Sequence, residues 1–105
     1  MPLNIRFTPN SISLQCGVAS RIALEGRGNG QLEVTLSLPA SAGCTLNGQR
    51  RIMVPVTSDG GTWEAEIAVT PACTSPGHHT GRITAIVRNS AGEVKRTWKP
   101  IEINC

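Results

Sequence analysis

Polar and apolar residues alternate along most of the chain. Leu32, Val34, Leu36 and Leu38 interleave with Gln31, Glu33, Thr35 and Ser37, a period of two that predicts a strand with one buried and one solvated face. Trp63, Ala65, Ile67 and Val69 alternate with Glu64, Glu66 and Ala68, which sends Trp63 into the core. Ile52, Val54 and Val56 form a third row against Arg51, Met53 and Pro55. Ile83, Ala85 and Val87 form a fourth, its outer side interrupted by Ile86. Shorter rows are Ile5 with Phe7, Ile12 with Leu14, and Ile22 with Leu24. The last strand, from Val94 to Ile103, is less regular. Pro100 has no N–H to give a ladder, so this strand is expected at a sheet edge or broken by a bulge. Counting by twos from Val94 carries Arg96 inward. Either a bulge intervenes or the strand faces out, and the face of Trp98 stays open.

Turn residues fall between the rows. Gly26-Arg27-Gly28-Asn29-Gly30, Ser58-Asp59-Gly60-Gly61 and Asn89-Ser90-Ala91-Gly92 are compact turn sequences. Pro39 to Asn47 and Pro71 to Gly81 read as longer loops, and no helical periodicity lasts beyond two turns. Roughly seven strands with turns every 8 to 12 residues predict one all-β domain over residues 1–105. The expected architecture is an immunoglobulin-like β-sandwich of about seven antiparallel strands.

Gly61-Thr62-Trp63 is followed by a strand, a Pro/Gly loop, and the segment Thr84-Ala85-Ile86-Val87-Arg88-Asn89-Ser90-Ala91-Gly92-Glu93-Val94. This order resembles the second half of bacterial Ig-like repeat domains. There a D-G-T-W turn opens one strand and a T-A-x-x-x-D-x-A-G-N segment makes the closing hairpin. Asn89 stands where such repeats carry Asp, and Glu93 where they often carry Asn. The resemblance spans roughly residues 58 to 97 and implies a module of surface adhesins, secreted enzymes or phage virions. The four cysteines are no part of that pattern.

Cys16, Cys44, Cys73 and Cys105 each follow an odd-numbered predicted strand, so an up-and-down traverse gathers them at one pole. Their number in a chain of 105 residues predicts two disulfides and an oxidising compartment. In many Ig-like domains the second half of the first strand runs beside the last, which would let Cys16 meet Cys105 and leave Cys44 for Cys73. Three pairings are open on spacing alone. A Cys₄ zinc site with His78 or His79 nearby is a second reading. It lacks the close C-x₂₋₄-C pairs of structural zinc, so no metal is expected. Four reduced thiols buried as small apolar residues are a third reading.

Composition adds limits rather than an activity. Ten basic residues oppose seven acidic ones for a net charge of +3, and eight of the ten are arginines scattered along the chain. No Lys/Arg run or aromatic platform suggests a nucleic-acid partner. The longest apolar stretch, near Ile52 to Val56, is too short for membrane insertion, and no leader is visible at the start. With one Phe and no Tyr, the core is modest and leans on covalent staples.

Candidate chemistry is sparse. Glu64 and Glu66 share a face as paired carboxylates do, but alternating solvated Glu is the commoner pattern on a strand. His78-His79 reads as a polar loop. Asp59 is the only Asp, which argues against a calcium cage. The glycine-rich 26–30 stretch has neither the Lys nor the following helix of a phosphate loop. The expectation is therefore a non-catalytic structural or adhesive module, without cofactor, exposed on a cell surface, secreted or on a virion. It would act through contacts with other protein subunits, a surface receptor or a glycan. Candidate surfaces are the pole bearing Arg27, Asn29, Asp59 and Asn89, and the edge of the last strand, which offers a route to a homo-oligomer. The alternative is a carbohydrate-binding accessory module using Trp98; an enzyme combining Glu64 or Glu66 with His78 or His79 is a distant third.

Overall fold

The computed structural model describes residues 2–105 and is all-β. Its strands are β1 (Asn4–Phe7), β2 (Ile12–Gln15), β3 (Ser20–Arg27), β4 (Gly30–Ser37), β5 (Cys44–Leu46), β6 (Arg51–Ser58), β7 (Thr62–Val69), β8 (Pro71–Cys73), β9 (His78–Asn89) and β10 (Val94–Asn104). They form a three-stranded sheet ordered β1-β3-β7, a five-stranded sheet ordered β2-β10-β9-β4-β6, and a small β5-β8 ribbon. The inward rows of the two large sheets share one hydrophobic core. Val34, Leu36, Ile83, Ala85 and Val87 on one side meet Ile22, Leu24, Ile67 and Val69 on the other, which makes a β-sandwich.

The expected count of about seven antiparallel strands needs correction in two ways. The first expected strand is split: β1 pairs antiparallel with β3, whereas β2 crosses to the other sheet and, as expected of its second half, runs beside the last strand, parallel to β10. Residues 39–47 and 71–81, expected as loops, contain a 3₁₀ turn at Ala40–Ala42, the β5-β8 ribbon and the first residues of β9. Cys44 and Cys73 lie directly opposite each other in that ribbon. The ribbon is a tertiary pairing of two three-residue segments, too short to show a period.

Pro100 sits in an unbroken register between β10 and β9, so no bulge is present. The alternative expectation holds instead. β2 covers β10 only from Ile101 to Asn104, and Pro100 immediately precedes that covered stretch. Ile101 and Ile103 are buried, which turns Val94, Arg96, Trp98 and Pro100 to the outer face. Trp63 is buried at 4% exposure, as its parity predicts, and its indole N–H donates to the Arg27 carbonyl at 3.3 Å. Gly26 lies opposite Trp63 in the β3-β7 register. A Cβ at Gly26 would strike the Asn4 carbonyl and come within 2.6 Å of the Trp63 ring, so only glycine admits the indole here.

Candidate binding surfaces

Three regions carry the residues singled out from the sequence: a loop pole, a cysteine pole and the outer face of the five-stranded sheet. The loop pole is assembled by register. Gly30 at the start of β4 pairs with Ser58 at the end of β6, Leu32 pairs with Asn89 at the end of β9, and Gly28 N–H donates to the Gly61 carbonyl at 3.0 Å. Arg27, Asn29 and Asp59 are exposed at this pole. Asn89 belongs to the turn itself. Its Oδ1 accepts from Ala91 N–H at 3.1 Å and Glu93 N–H at 2.9 Å, while its Nδ2 donates to Glu93 Oε1 at 3.1 Å. With Gly92 at φ +87°, these bonds close an Asx-stabilised hairpin. The Asn89 side chain therefore spends its polar atoms on the turn and leaves little for a ligand.

The cysteines collect at the opposite end, and both disulfides are present: Cys16–Cys105 and Cys44–Cys73. The parallel β2-β10 pairing brings Gln15 beside Asn104, so the next residue of each strand is a partner cysteine. Cys16 N–H donates to the Asn104 carbonyl at 2.9 Å and extends that pairing to the bridge. The second bridge closes the β5-β8 ribbon. Their sequence separations are 89 and 29 residues. In the loop-closure limit, such rings stabilise by about 4.5 and about 3.5 kcal/mol by restricting the unfolded chain.

The outer face of the five-stranded sheet brings together residues distant in sequence. Arg96 of β10 pairs with Ile86 of β9, Ile86 with Thr35 of β4, and Thr35 with Met53 of β6. The next row runs Trp98, Thr84, Ser37, Arg51, and the preceding one Val94, Arg88, Glu33, Pro55. Trp98 is 50% exposed and Met53 58% exposed, while Thr35, in the same row as Met53, is buried at 8%. The Arg82 guanidinium carbon lies 4.2 Å from the Trp98 ring centroid, a cation–π contact that covers one face of the indole. Among the described residues, Arg51, Arg82, Arg88 and Arg96 form no ion pair. Four of the eight arginines that looked scattered in the sequence thus share one face with an exposed Trp and Met. Only cross-strand register reveals this grouping.

The outer face of the three-stranded sheet is different. Arg6 is paired with Glu25, and Arg21 lies 3.1 Å from Glu66. Glu64 and Glu66 are exposed on β7, as expected. His78 and His79 lie on β9 in the other sheet, so the fold does not join them to these carboxylates. His78 Nδ1 is 2.7 Å from Asn104 Oδ1, and its Nε2 is 3.5 Å from Glu102.

The edge of β10 is half closed. Where β2 is absent, the open stretch carries Lys95, Lys99 and Pro100, residue types that oppose strand addition. No helix among the described residues is long and apolar enough to cross a membrane. No family model matches the chain, and no curated protein matches it.

Proposed function

We propose that this chain is a non-catalytic Ig-like binding module working in an oxidising, extracellular setting, and that it engages an acidic protein surface through the outer face of its five-stranded sheet. The observation that carries the reading is that Arg51, Arg82, Arg88 and Arg96 share one sheet face with the exposed Trp98 and, among the described residues, none of them is in an ion pair. Glu33, opposite Arg88, is the nearest acidic residue in register. Trp and Arg are the side chains that most often dominate protein interfaces, because they combine large contact area with directional polar groups. Two disulfides suit a compartment without a thiol pool. The resemblance of residues 58 to 97 to bacterial Ig-like repeats supports the same class of module, whether on a cell surface, secreted or on a virion.

Exposure of Trp98 also supports the second reading, a carbohydrate-binding accessory module. A sugar would stack on the ring face that Arg82 leaves free, and the surrounding arginines would select an acidic glycan. Probing an acidic-peptide library and a glycan array side by side separates the two. The first reading expects peptide binding that falls at least about tenfold in Trp98→Ala and in Arg96→Ala, matching a hot-spot loss of roughly 1.4 kcal/mol or more. Glu64→Gln, on the opposite face, should leave it unchanged. Binding confined to acidic glycans and lost in Trp98→Ala would favour the second reading. Binding indifferent to Trp98 would overturn both.

A further inference from the structure

The cysteine pole contains a set of ligand atoms that sequence spacing hides. Cys44 Sγ, Cys73 Sγ and a ring nitrogen of His79 all lie within 4.8 Å of one another. Cys73 Sγ also lies within 4.8 Å of the sulfurs of both Cys16 and Cys105, so the two disulfides form one cluster with Cys73 at its centre. A tetrahedral zinc site with Zn–S near 2.3 Å separates its sulfurs by about 3.8 Å, within this span.

The orientation of His79 makes this more than proximity. Its Nε2 lies 2.8 Å from the Ser75 carbonyl oxygen. A carbonyl only accepts, so Nε2 carries the proton and Nδ1 of the neutral ring keeps its lone pair. Nδ1 faces the Gly43 backbone next to Cys44, 3.8 Å from where a Gly43 Cβ would stand. An imidazole whose second nitrogen donates to a carbonyl has the tautomer and orientation typical of a metal ligand. The backbone also holds the donors independently of the sulfur–sulfur bonds. The β5-β8 register sets Cys44 against Cys73, and His79 is fixed by its pairing with Ile103 of β10. A shallow groove lined by Gly43, Cys44, Cys73 and Thr74 gives an ion access from solvent.

We propose that reduction converts this pole into a thiolate–imidazole site for Zn²⁺, with Cys44, Cys73 and His79 as ligands and solvent in the fourth position. The site forms only where the chain meets a dithiol, outside the thiol-free setting of partner binding; the dithiol supplies two electrons and two protons to each disulfide and is itself oxidised to a disulfide. Zinc then displaces the thiol protons as it binds. Oxidised sulfurs carry no thiolate, so disulfide and metal exclude each other. The site is a redox-gated one, separate from the sheet face that binds a partner.

The test uses the full chain, reduced with a phosphine, desalted under nitrogen and titrated with Zn²⁺ against a chromogenic chelator. The expected result is one zinc per reduced chain and none on the oxidised chain. Co²⁺ should give the intense visible bands of tetrahedral thiolate coordination. His79→Ala should weaken zinc binding at least about tenfold, a conservative bound since even outer-shell partners are worth that much, whereas His78→Ala should not. A Cys16→Ser/Cys105→Ser double variant should keep one zinc per reduced chain and the same Co²⁺ spectrum; a shifted spectrum would overturn the assignment of Cys44, Cys73 and His79 as the protein ligands. If the reduced chain loses its β-sheet circular dichroism, zinc should restore it, because binding energy is then folding energy. Zinc uptake without refolding, equal affinity in the two histidine variants, or no stoichiometric uptake would each overturn the proposal.

Discussion

On the outer face of the three-stranded sheet, Arg6 and Arg21 each meet a carboxylate, Glu25 and Glu66 respectively. On the outer face of the five-stranded sheet, Arg51, Arg82, Arg88 and Arg96 meet none, and Arg82 rests on an exposed Trp98 instead. The same residue type has thus been used in two ways. Paired charges in high dielectric keep a surface soluble and internally neutral, at a gain of about 0–1 kcal/mol per pair. Unpaired guanidiniums around an indole keep their donors free and set up a positive potential that attracts an acidic surface. Pairing and balance together distinguish the two faces: Glu25, Glu64 and Glu66 outnumber the paired Arg6 and Arg21 on the first, whereas four unpaired arginines outnumber Glu33 and Glu102 on the second.

The comparison can be stressed at several strengths. Two large effects of similar size are expected, the first of them beneath the three-stranded sheet, where Gly26→Ala forces a Cβ against the Asn4 carbonyl and the Trp63 ring. Its cost should be about 3 kcal/mol in chemical denaturation, the upper range for overpacking, since one of the colliding groups is backbone. Replacing both Cys44 and Cys73 with alanine should cost about 2–4 kcal/mol, measured in the same way, while leaving the sheet faces intact. Trp98→Ala should cost only about 0.5–1 kcal/mol of stability, the scale of an exposed cation–π contact, yet should abolish most partner binding. A large stability loss there would make Trp98 a structural residue and erase the contrast. Smallest of all, Glu66→Gln should change stability by about 0.5 kcal/mol or less and binding not at all, as read by thermal melting and peptide titration.

Much of the fold was readable in the chain because a half-buried strand writes its own period. The rows through Leu32–Leu38, Ile52–Val56, Trp63–Val69 and Ile83–Val87 all became strands with the expected inner faces. What escaped depends on contacts between segments. The β5-β8 ribbon has three residues a side, and the first residues of β9, His78 to Arg82, are too polar to announce a strand. The parallel β2-β10 pairing, which decides the Cys16–Cys105 bridge, leaves no local mark; only analogy with other Ig-like domains points to it, an expectation the structure bears out. The same holds for the candidate sites. The placement of Arg27, Asn29 and Asp59 at one pole follows from turn chemistry, which is local. The grouping of Arg51, Arg88, Arg96 and Trp98 follows from register across four strands, and the approach of His79 to Cys44 and Cys73 from the packing of a ribbon against β9.

The most direct test of the binding face is an amide and indole chemical-shift map of the ¹⁵N-labelled protein titrated with an acidic peptide. Shifts are expected at Thr84, Ile86, Arg96 and the Trp98 indole, with Arg21, Glu64 and Glu66 silent. Shifts confined to residues 26–30, 58–61 and 89–92, or spread equally over both sheets, would contradict it.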